Sequence, residues 1–376
     1  MEVALQDDAV LVSRSYFDRT KAYGLMRPLH VSRVRFNAVW SALNGVQGDR
    51  RSPPSSPAYD FTRLDDAIAV ALAQGIKVEL TITGPAPRWA TARRKRRGDP
   101  VKPDPRRFGR FVRAVVKRYA GRVDVYGVWN EPNHKSWLQP VSRQAELYRA
   151  LYAQAFRQIR KLDPKARVLI GETAPFASKK GIATPPLRFL RQLACVDKGY
   201  RPVRRCKPLQ ADGFAHHPYD FRRPPTKRHP GADNVTIANL DGLTTALDRL
   251  ARAGRLADRK GRGLDLWLTE YGYYARRETG RERVFPERTR AAYLKQAFTI
   301  ALRNPRVVSM LQYLLIEYPK GMFRFNTAIV GVDGTPMKPF TSLVAWSRKA
   351  ARRGDIATPG PAYPAATASG ERRRSR

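Results

Sequence analysis

The chain has 376 residues, 42% of them hydrophobic and 10% aromatic, so it can bury a large core as one barrel-sized domain or as two smaller domains. That composition excludes a disordered polymer. The formal net charge of +39 points to anionic partners such as nucleic acid, an acidic polysaccharide or a membrane surface. However, the basic residues are scattered over most predicted helices, which favours a solvated Arg-rich surface over a specific nucleic-acid site.

Short β-rich runs alternate with helical patterns along most of the chain. The predicted strands cover residues 9–13, 32–40, 76–84, 123–131, 166–173, 211–219, 264–272 and 308–318. Between them, stretches such as "FTRLDDAIAVALAQG" and "RRFGRFVRAVVKRYAG" have apolar residues at helical spacing and stop at a glycine. Eight strands alternating with helices predict parallel strands with helical crossovers. The fold class is therefore predicted to be α/β, a (β/α)8 TIM barrel.

The predicted barrel domain covers residues 1–352. Residues 353–376 are rich in Pro, Ala, Gly and Ser with a basic end, which predicts a disordered tail, and the basic run "RRKRR" at 93–97 is expected in a loop. No apolar run reaches the roughly 20 residues that span a bilayer. The opening "MEVALQDDAV" lacks the basic start and apolar stretch of a signal peptide, so an intracellular protein and a missing leader both stay open.

The chain has two cysteines, Cys195 and Cys206, at the ends of "CVDKGYRPVRRC". This segment is short enough to close as a disulfide loop. CxxC spacing is absent, which argues against a zinc or redox motif. The alternative is two unrelated thiols, but we favour the disulfide, and with it an oxidising, extracellular location.

Two carboxylates are predicted at the edge of the barrel where catalytic groups lie, at the point where strands end and loops begin. Asn130 and Glu131 end the fourth predicted strand, and Glu270 ends the seventh. Strands four and seven face each other across a barrel mouth. Glycoside hydrolysis needs two facing carboxylates, since one protonates the leaving oxygen while the other attacks the anomeric carbon or activates water.

The motifs "VWNEP" and "LTEYG" at these two positions resemble the clan A glycoside hydrolases, retaining barrel enzymes that include families 5 and 39. The resemblance implies that Glu131 is the acid/base, that Glu270 is the nucleophile and that Asn130 holds the sugar 2-hydroxyl. "NEP" alone is short, so the argument rests on its position at the end of strand four with a second Glu ending strand seven. The similarity spans roughly residues 8–350.

Further residues fit the same resemblance. Arg35 in "VRFNAVW" corresponds to the strand-two Arg that usually hydrogen-bonds the nucleophile. In "FAHHPYD", His217 and Tyr219 share one strand face and match a His-x-Tyr pair beside the nucleophile, whereas His216 points the other way. "VGVDGTPMKPF" resembles a turn that precedes the last helix of secreted members. These residues are expected to bind substrate or support the nucleophile.

The aromatic residues of the expected substrate site depart from the family pattern in one place. Many members have a Trp near the end of strand eight under the sugar, and "SMLQYLLIEYPKG" has none, so its place is expected to fall to Gln312, Tyr313 or Glu317. The absence of this Trp does not change the predicted reaction class, glycoside hydrolysis, but it leaves the identity of the substrate open. Trp89 and Trp137, in loops with Pro and polar neighbours, are predicted sugar platforms.

The predicted activity is retaining hydrolysis of a β-linked glycoside or polysaccharide by double displacement, without a cofactor. It requires carboxyl groups about 5–5.5 Å apart, and it predicts a raised pKa for Glu131 beside the charge of Glu270. Glu172, near another strand end, is a reserve candidate for substrate binding. His216 and His217 have no metal-binding spacing, so no metal site is expected.

Other interpretations of the same residues remain open. Glu131 as the cap of a turn and Arg35 as a partner in a core ion pair are the structural alternatives. At the level of function, the alternatives are a catalytically inactive glycan-binding barrel and a basic protein that binds nucleic acid or another polyanion. An intermediate hypothesis is that the charge draws the enzyme to an anionic polysaccharide. The sugar, its linkage, endo or exo cleavage and the oligomeric state are left open.

Overall fold

The computed structural model of the chain describes residues 1–44, 58–92, 100–177, 181–280 and 282–361. Eight parallel strands close into a barrel in which each strand pairs with its neighbours in the chain and the last pairs with the first. The strands are β1 Glu2–Gln6, β2 Arg33–Val39, β3 Lys77–Thr83, β4 Val125–Val128, β5 Arg167–Thr173, β6 Gly213–His216, β7 Leu266–Leu268 and β8 Val307–Tyr313. The predicted (β/α)8 TIM barrel is confirmed.

The prediction for the first strand is wrong. Residues 9–11 of the predicted run lie in the short helix Asp8–Leu11, and the Asp7 side chain accepts a hydrogen bond from the backbone N–H of Val10. The true first strand is "EVALQ", which pairs with β8 over five residues and with β2 over two. All five residues are buried, so the run lacks the alternation that marks a half-exposed strand.

Helices surround the barrel. The longer ones are Arg19–Met26, Thr62–Ala73, Pro105–Tyr119, Gln144–Leu162, Pro186–Ala194, Leu240–Arg252, Glu287–Arg303 and Lys338–Arg352, and Trp40–Leu43 is a single turn. Pro105–Tyr119 illustrates why they form. Asp104 caps its N-terminus by accepting from two backbone N–H groups, Pro105 occupies its first turn, and its apolar stripe is buried against the barrel while its Arg side chains face outward.

Polar side chains on β2 stack along the inside of the barrel. Because side chains alternate along a strand, Arg33, Arg35 and Asn37 share the inward face at increasing height. Arg33 lies at the lower end, buried, with its Nε atom 2.6 Å from Glu2 Oε2 and its Nη1 atom 2.7 Å from Asp124 Oδ1. Arg35 lies in the middle, and Asn37 lines a cavity at the upper end. The strand β2 therefore carries both the buried ion pairs of Arg33 at the lower end of the barrel and residues of the candidate site at the upper end.

The disulfide prediction is confirmed: Cys195 and Cys206 are bonded, with Cα atoms 6.3 Å apart. The loop they close precedes β6, so it lies at the barrel end opposite the loops that follow the strands. Nearby, Leu209–Gln210 and Leu256–Ala257 form a small parallel sheet. None of the helices in the described ranges is long and apolar enough to cross a bilayer.

Part of the predicted tail packs against the barrel. Ile356 is buried, the N-terminal amine of Met1 donates to the carbonyl of Asp355, and the N–H of Gly360 donates to the carbonyl of Gly75. Residues 355–360, which belong to the segment predicted to be disordered, therefore make defined contacts with the barrel. The remainder, 362–376, and the basic run at 93–97 lie outside the described residues.

Candidate active site

The end of β4 carries Asn130 and Glu131 on an irregular turn. Trp129 and Glu131 have φ angles of 70° and 37°, a left-handed conformation that is unusual for residues other than glycine. The turn is held by backbone hydrogen bonds, from Trp129 N–H to Ile82 O and from Glu131 N–H to Glu172 O, both at 2.9 Å. Neighbouring strands thus support a turn that directs the Glu131 side chain into the barrel mouth.

Glu270 lies two residues beyond the end of β7. The N–H of Thr269 bonds to the carbonyl of His216, and the carbonyl of Tyr271 accepts from the N–H of Tyr313, so both flanking strands support this segment. The side chains of Glu131 and Glu270 are 19% and 13% exposed. Each carboxylate therefore reaches the cavity while most of its surface is covered.

Arg35 is fully buried and links the two carboxylate-bearing segments. Its Nη1 atom donates to Glu270 Oε1 at 2.9 Å, and its Nη2 atom donates to Asn130 Oδ1 at 2.9 Å and to Glu172 Oε2 at 3.3 Å. Its Nε atom donates to Thr81 Oγ1 at 2.9 Å. Arg35 therefore makes the predicted hydrogen bond to Glu270, and it also forms a buried ion pair with Glu172, which was the alternative role considered for it.

His217 bridges three carboxylates. Its Nδ1 atom lies 3.2 Å from Glu131 Oε1 and 3.6 Å from Glu270 Oε2, and its Nε2 atom lies 3.1 Å from Glu172 Oε2. Burial acts to lower the pKa of His217, but the carboxylates outweigh it, Glu270 most strongly, and raise that pKa to about 10. At neutral pH the ring is an imidazolium. Tyr219 completes this side by donating from Oη to Glu270 Oε2 at 3.2 Å.

The expected rise in the pKa of Glu131 is wrong. Burial does act to raise it, but the hydrogen bond from His217 and the positive charges of His217 and Arg35 hold the pKa of Glu131 below its ordinary value. The prediction considered the charge of Glu270 alone and omitted the imidazolium between the two carboxylates. In the free protein the Glu131 carboxyl is therefore ionised and paired with His217.

Two further buried carboxyl groups lie beneath the pair. Glu172 accepts hydrogen bonds from Thr269 Oγ1 at 2.6 Å and from Thr81 Oγ1 at 3.3 Å, and despite its burial the charges of Arg35 and His217 lower its pKa. Glu79 lies 3.6 Å from Arg35, and burial together with the charge of Glu172 raises its pKa to about 8. Glu172 is thus a support for Arg35 and His217, not the substrate contact proposed for it.

The backbone explains how Glu172 reaches the barrel interior. The pairing of β5 with β6 shifts between Gly171 and Thr173, which marks a bulge, and Glu172 has a φ of 48°. The extra residue turns inward a side chain that regular alternation would direct outward. Gly127 makes room for it, because a Cβ atom there would lie 2.4 Å from Glu172 Oε1. Neither the bulge nor the space is visible in the sequence of β5.

A cavity of about 550 Å³ opens over the two carboxylates. Polar side chains on its wall include Glu131, Glu270, Asn130, Asn37 and His134. Its aromatic wall consists of Trp137, Phe176, Tyr219, Phe221, Tyr274, Tyr313 and Phe325. Flat aromatic faces beside a few converging polar groups match the amphipathic surface of a sugar ring, which has apolar C–H faces and a polar rim.

The two tryptophans predicted as sugar platforms have different locations. Trp137 lines the cavity. Trp89 does not: its side chain is 2% exposed, stands edge-on to Trp40 at 5.8 Å and donates from Nε1 to Asn44 Oδ1. The prediction for Trp89 is therefore wrong, because residues distant in sequence cover it.

Among the three residues considered for the place of the absent strand-eight Trp, Tyr313 lines the cavity. Gln312 is buried and donates to backbone carbonyls, and Glu317 pairs with Arg276 and Asn326. The second His of "FAHHPYD", His216, lies in the core between Thr173 Oγ1 and the carbonyl of Val235, and burial lowers its pKa to about 3.

Comparison with known proteins supports the architecture. No family model matches the sequence, and no curated protein matches it. A family 39 glycoside hydrolase from the gut symbiont Bacteroides cellulosilyticus WH2 is similar in structure, with a TM-score of 0.65 and 16% identity, covering 92% of this chain and 63% of that one. The chain thus spans less than two thirds of that protein's length.

Two other solved structures have the same barrel. A monomeric β-xylosidase from Caulobacter crescentus CB15 has a TM-score of 0.59 and 18% identity, covering 92% of this chain and 67% of that one. A GH10 endoxylanase from a sugarcane soil metagenome has a TM-score of 0.55 and 12% identity, covering 92% and 96% of the two chains. The predicted resemblance to clan A glycoside hydrolases is therefore confirmed as a likeness of fold.

Proposed function

We propose that the chain is a retaining glycoside hydrolase that cleaves a β-linked glycoside or polysaccharide. The observation that carries this proposal is the convergence of Glu131 and Glu270 on the Nδ1 atom of His217, at 3.2 and 3.6 Å, at the floor of an aromatic cavity. The two carboxylates follow strands on opposite sides of the barrel, so they face a single sugar from two sides.

The spacing of the carboxylates favours retention over inversion. Because one nitrogen contacts both, their nearest oxygens are separated by no more than the sum of those two contacts. That limit reaches only the lower edge of the roughly 6.5–9.5 Å typical of inverting enzymes, which need room for a water, and it accommodates the about 5–5.5 Å of retaining ones.

The proposed reaction has two displacements. In the first, Glu270 attacks the anomeric carbon while Glu131 gives a proton to the departing oxygen, leaving a glycosyl ester on Glu270. In the second, Glu131 takes a proton from water, whose oxygen attacks the anomeric carbon and releases Glu270. Arg35 and Tyr219 hold one oxygen each of Glu270 and so orient it for attack.

The proton for the first step is carried by the Glu131 and His217 pair. Glu131 is ionised in the free protein, whereas the neighbouring imidazolium retains its proton over the neutral range, as their opposite pKa shifts indicate. As negative charge develops on the leaving oxygen, the proton moves from His217 Nδ1 to Glu131 and Glu131 protonates that oxygen. The pair thus acts as one acid whose macroscopic titration belongs to both residues.

The substrate is proposed to be a β-linked glycan, in line with the β-xylosidase and endoxylanase among the structural neighbours. The aromatic wall suits stacking against pyranose rings. An extracellular location is proposed from the Cys195–Cys206 disulfide, since such bonds persist in oxidising compartments. A polysaccharide outside the cell would then be the natural substrate.

The test uses a panel of β-glycosides of xylose, glucose, mannose, galactose and glucuronic acid, each with a dinitrophenyl and a methyl leaving group. We expect Glu270→Gln to lose about 10³-fold or more in kcat with both leaving groups. Glu131→Gln should lose about 10²–10⁴-fold with the methyl group and far less with dinitrophenol, which leaves without a proton. Glu146→Gln, on the exposed face of the helix Gln144–Leu162, is the control and should match the parent.

The configuration of the first product, followed by NMR before the sugar equilibrates, tests the mechanism separately. A β-configured product supports double displacement. An α-configured product would refute retention while leaving hydrolysis intact, and a parent protein that releases nothing from the whole panel would refute the glycosidase proposal.

A further inference from the structure

A second cavity of about 550 Å³ adjoins the one over the carboxylates. The loops after β6 and β7 form most of it, and Phe176, Phe221 and Tyr274 line both cavities. Phe221 stacks on Tyr219, the residue that bonds Glu270, with ring centroids 4.7 Å apart, and it lies equally close to Tyr274. A glycan held over Glu270 can therefore continue past this aromatic wall into the second cavity.

The second cavity is rich in cations. The guanidinium groups of Arg222, Arg223 and Arg283 supply these charges. His229 also lines the cavity, and its ring stacks on Phe176 with centroids 4.3 Å apart. The first cavity has no Arg or Lys on its wall among the described residues. The change from a neutral aromatic wall to a basic one therefore coincides with the boundary between the two cavities.

The two carboxylates of the second cavity are already engaged within the chain. Asp220 accepts from the N–H of Arg222 at 3.0 Å and from Nη1 of Arg223 at 3.3 Å. Glu282 accepts from Oγ1 of Thr279 at 2.6 Å and from its N–H. Asp220 is therefore paired with the guanidinium of Arg223, whereas Glu282 is held by neutral donors of the Thr279 residue and keeps its negative charge.

Among the described residues of the second cavity, the guanidinium groups of Arg222 and Arg283 differ from that of Arg223 in having no acidic partner. Within the described parts of the chain, no carboxylate lies within ion-pair distance of Arg222 or Arg283. Arg283 has its guanidinium carbon 4.7 Å from the ring centre of Phe285, which orients it without neutralising it. A guanidinium presents a planar fork that matches a carboxylate or a sulfate.

We propose that the second cavity binds an anionic group, a carboxylate or a sulfate ester, on the sugar unit next to the one over Glu131 and Glu270. The proposal rests on the proposed glycosidase function and specifies its substrate class as an acidic glycan. It differs from a general attraction between a chain of charge +39 and any polyanion, because it assigns the preference to Arg222 and Arg283.

Binding is measured in the Glu270→Gln variant, which keeps glycans intact. Calorimetry at about 0.15 M NaCl, where distant charges are screened, uses β-1,4-linked tetrasaccharides of glucose and of xylose. Each is tested unsubstituted, with one glucuronic acid unit and with one sulfate ester. A second set adds Arg222→Gln with Arg283→Gln. The matched control adds Arg113→Gln, an exposed charge on the helix Pro105–Tyr119.

We expect an acidic tetrasaccharide to bind at least about tenfold tighter than its neutral counterpart. The double arginine variant should remove that difference, and Arg113→Gln should keep it. Preference for the glucuronate alone identifies an acidic sugar, and preference for the sulfate alone identifies a sulfated one. Equal affinity for neutral and acidic probes, an equal loss in the Arg113 control, or no binding by any probe would overturn the proposal.

The outcome is independent of catalysis. Neutral glycosides hydrolysed by the parent, with no acidic preference in binding, would leave the glycosidase proposal standing and refute the acidic-glycan proposal. Arginine-dependent binding of acidic probes, without hydrolysis of any glycoside, would support the second cavity and refute the glycosidase proposal.

Discussion

A buried imidazolium between two carboxylates decides how the candidate site handles protons. Charged groups rarely lie in a barrel interior unless they are paired, and here Arg35 and His217 are set against Glu131, Glu172 and Glu270. Removing one member leaves its partners uncompensated. The five side chains therefore act as a unit, and single substitutions among them report on the whole network.

His217→Gln should move the alkaline limb of the pH profile to lower pH. In the parent, the proton shared by His217 and Glu131 is lost only near the pKa of His217, about 10. Without the imidazolium, the acid form depends on Glu131 alone, so its proton is lost closer to the range of an ordinary carboxyl group. We expect the limb of kcat/KM to fall by two pH units or more, measured with a methyl glycoside.

The control for this prediction is His134→Gln, which removes the histidine that lines the cavity and leaves the hydrogen bond between His217 and Glu131 in place. Its alkaline limb should stay near that of the parent. A His217→Gln variant that loses activity at every pH with an unchanged limb would show that His217 is a structural support and not a proton carrier.

At the scale of single elements, departures from regular strand geometry direct the functional side chains. Non-glycine residues with positive φ occur at or near the ends of three strands: Glu131 after β4, Glu172 in β5 and Leu314 after β8. Such conformations cost about 1–3 kcal/mol each and persist where surrounding contacts hold them. The barrel supplies those contacts through the hydrogen bonds of adjacent strands.

Gly127→Ala should disrupt the site from within β4. The added Cβ would lie 2.4 Å from Glu172 Oε1 and 2.7 Å from Thr81 Oγ1, so both side chains, which accept hydrogen bonds from Arg35, must shift. We expect a loss of about 1–3 kcal/mol in the free energy of unfolding together with lower kcat, measured by urea unfolding and glycoside hydrolysis. Gly24→Ala, where a Cβ meets no atom within 4 Å, should do neither. An unaffected Gly127→Ala variant would contradict the packing argument.

The disulfide should contribute stability without contributing to catalysis. Its 11-residue separation closes a short loop before β6, at the end of the barrel away from the cavity. Replacing both Cys195 and Cys206 by Ser should lower the free energy of unfolding by about 2–3 kcal/mol, because the unfolded chain gains freedom. Hydrolysis at 25 °C should stay within about twofold of the parent. A large loss of kcat in a folded double variant would refute this separation.

For the molecule as a whole, the net charge governs its attraction to polyanions. A chain of +39 attracts polyanions by releasing their counterions, an effect that weakens steeply with salt and does not depend on the arrangement of any site. Local ion pairs such as Arg306 with Asp248 and Asp265 are already included in this value, because the 32 Asp and Glu residues are subtracted from the 71 Lys and Arg residues.

We therefore expect the protein to bind duplex DNA at about 20 mM NaCl, without sequence preference, and to release it by about 0.3 M. Glu270→Gln should bind with the same salt dependence, and added DNA should leave hydrolysis of a neutral aryl glycoside unchanged. Fluorescence anisotropy with two unrelated duplexes measures this. Sequence-selective binding that survives about 0.3 M salt would favour the nucleic-acid alternative over the glycosidase.

The architecture and the facing pair of Glu131 and Glu270 could be predicted from local sequence patterns. Apolar periodicity is a local property, so seven of the eight strands and most long helices were predictable, and eight alternating units imply the barrel. The topology then places Glu131 and Glu270 at one edge, because both end parallel strands. The Cys195–Cys206 bridge was predictable because its loop is short.

Features that depend on contacts between residues distant in sequence could be recognised only in the folded chain. The strand Glu2–Gln6 is buried on both faces, so its sequence lacks the polar and apolar alternation that would predict a strand. It is recognised as a barrel strand by its pairing with β8 and β2. Trp89 is covered by residues remote in sequence, and Glu172 turns inward at a bulge. The pKa of Glu131 is lowered because β6 brings His217 against it, 86 residues away along the chain. Electrostatic free energy depends on distance in space, which no local pattern encodes.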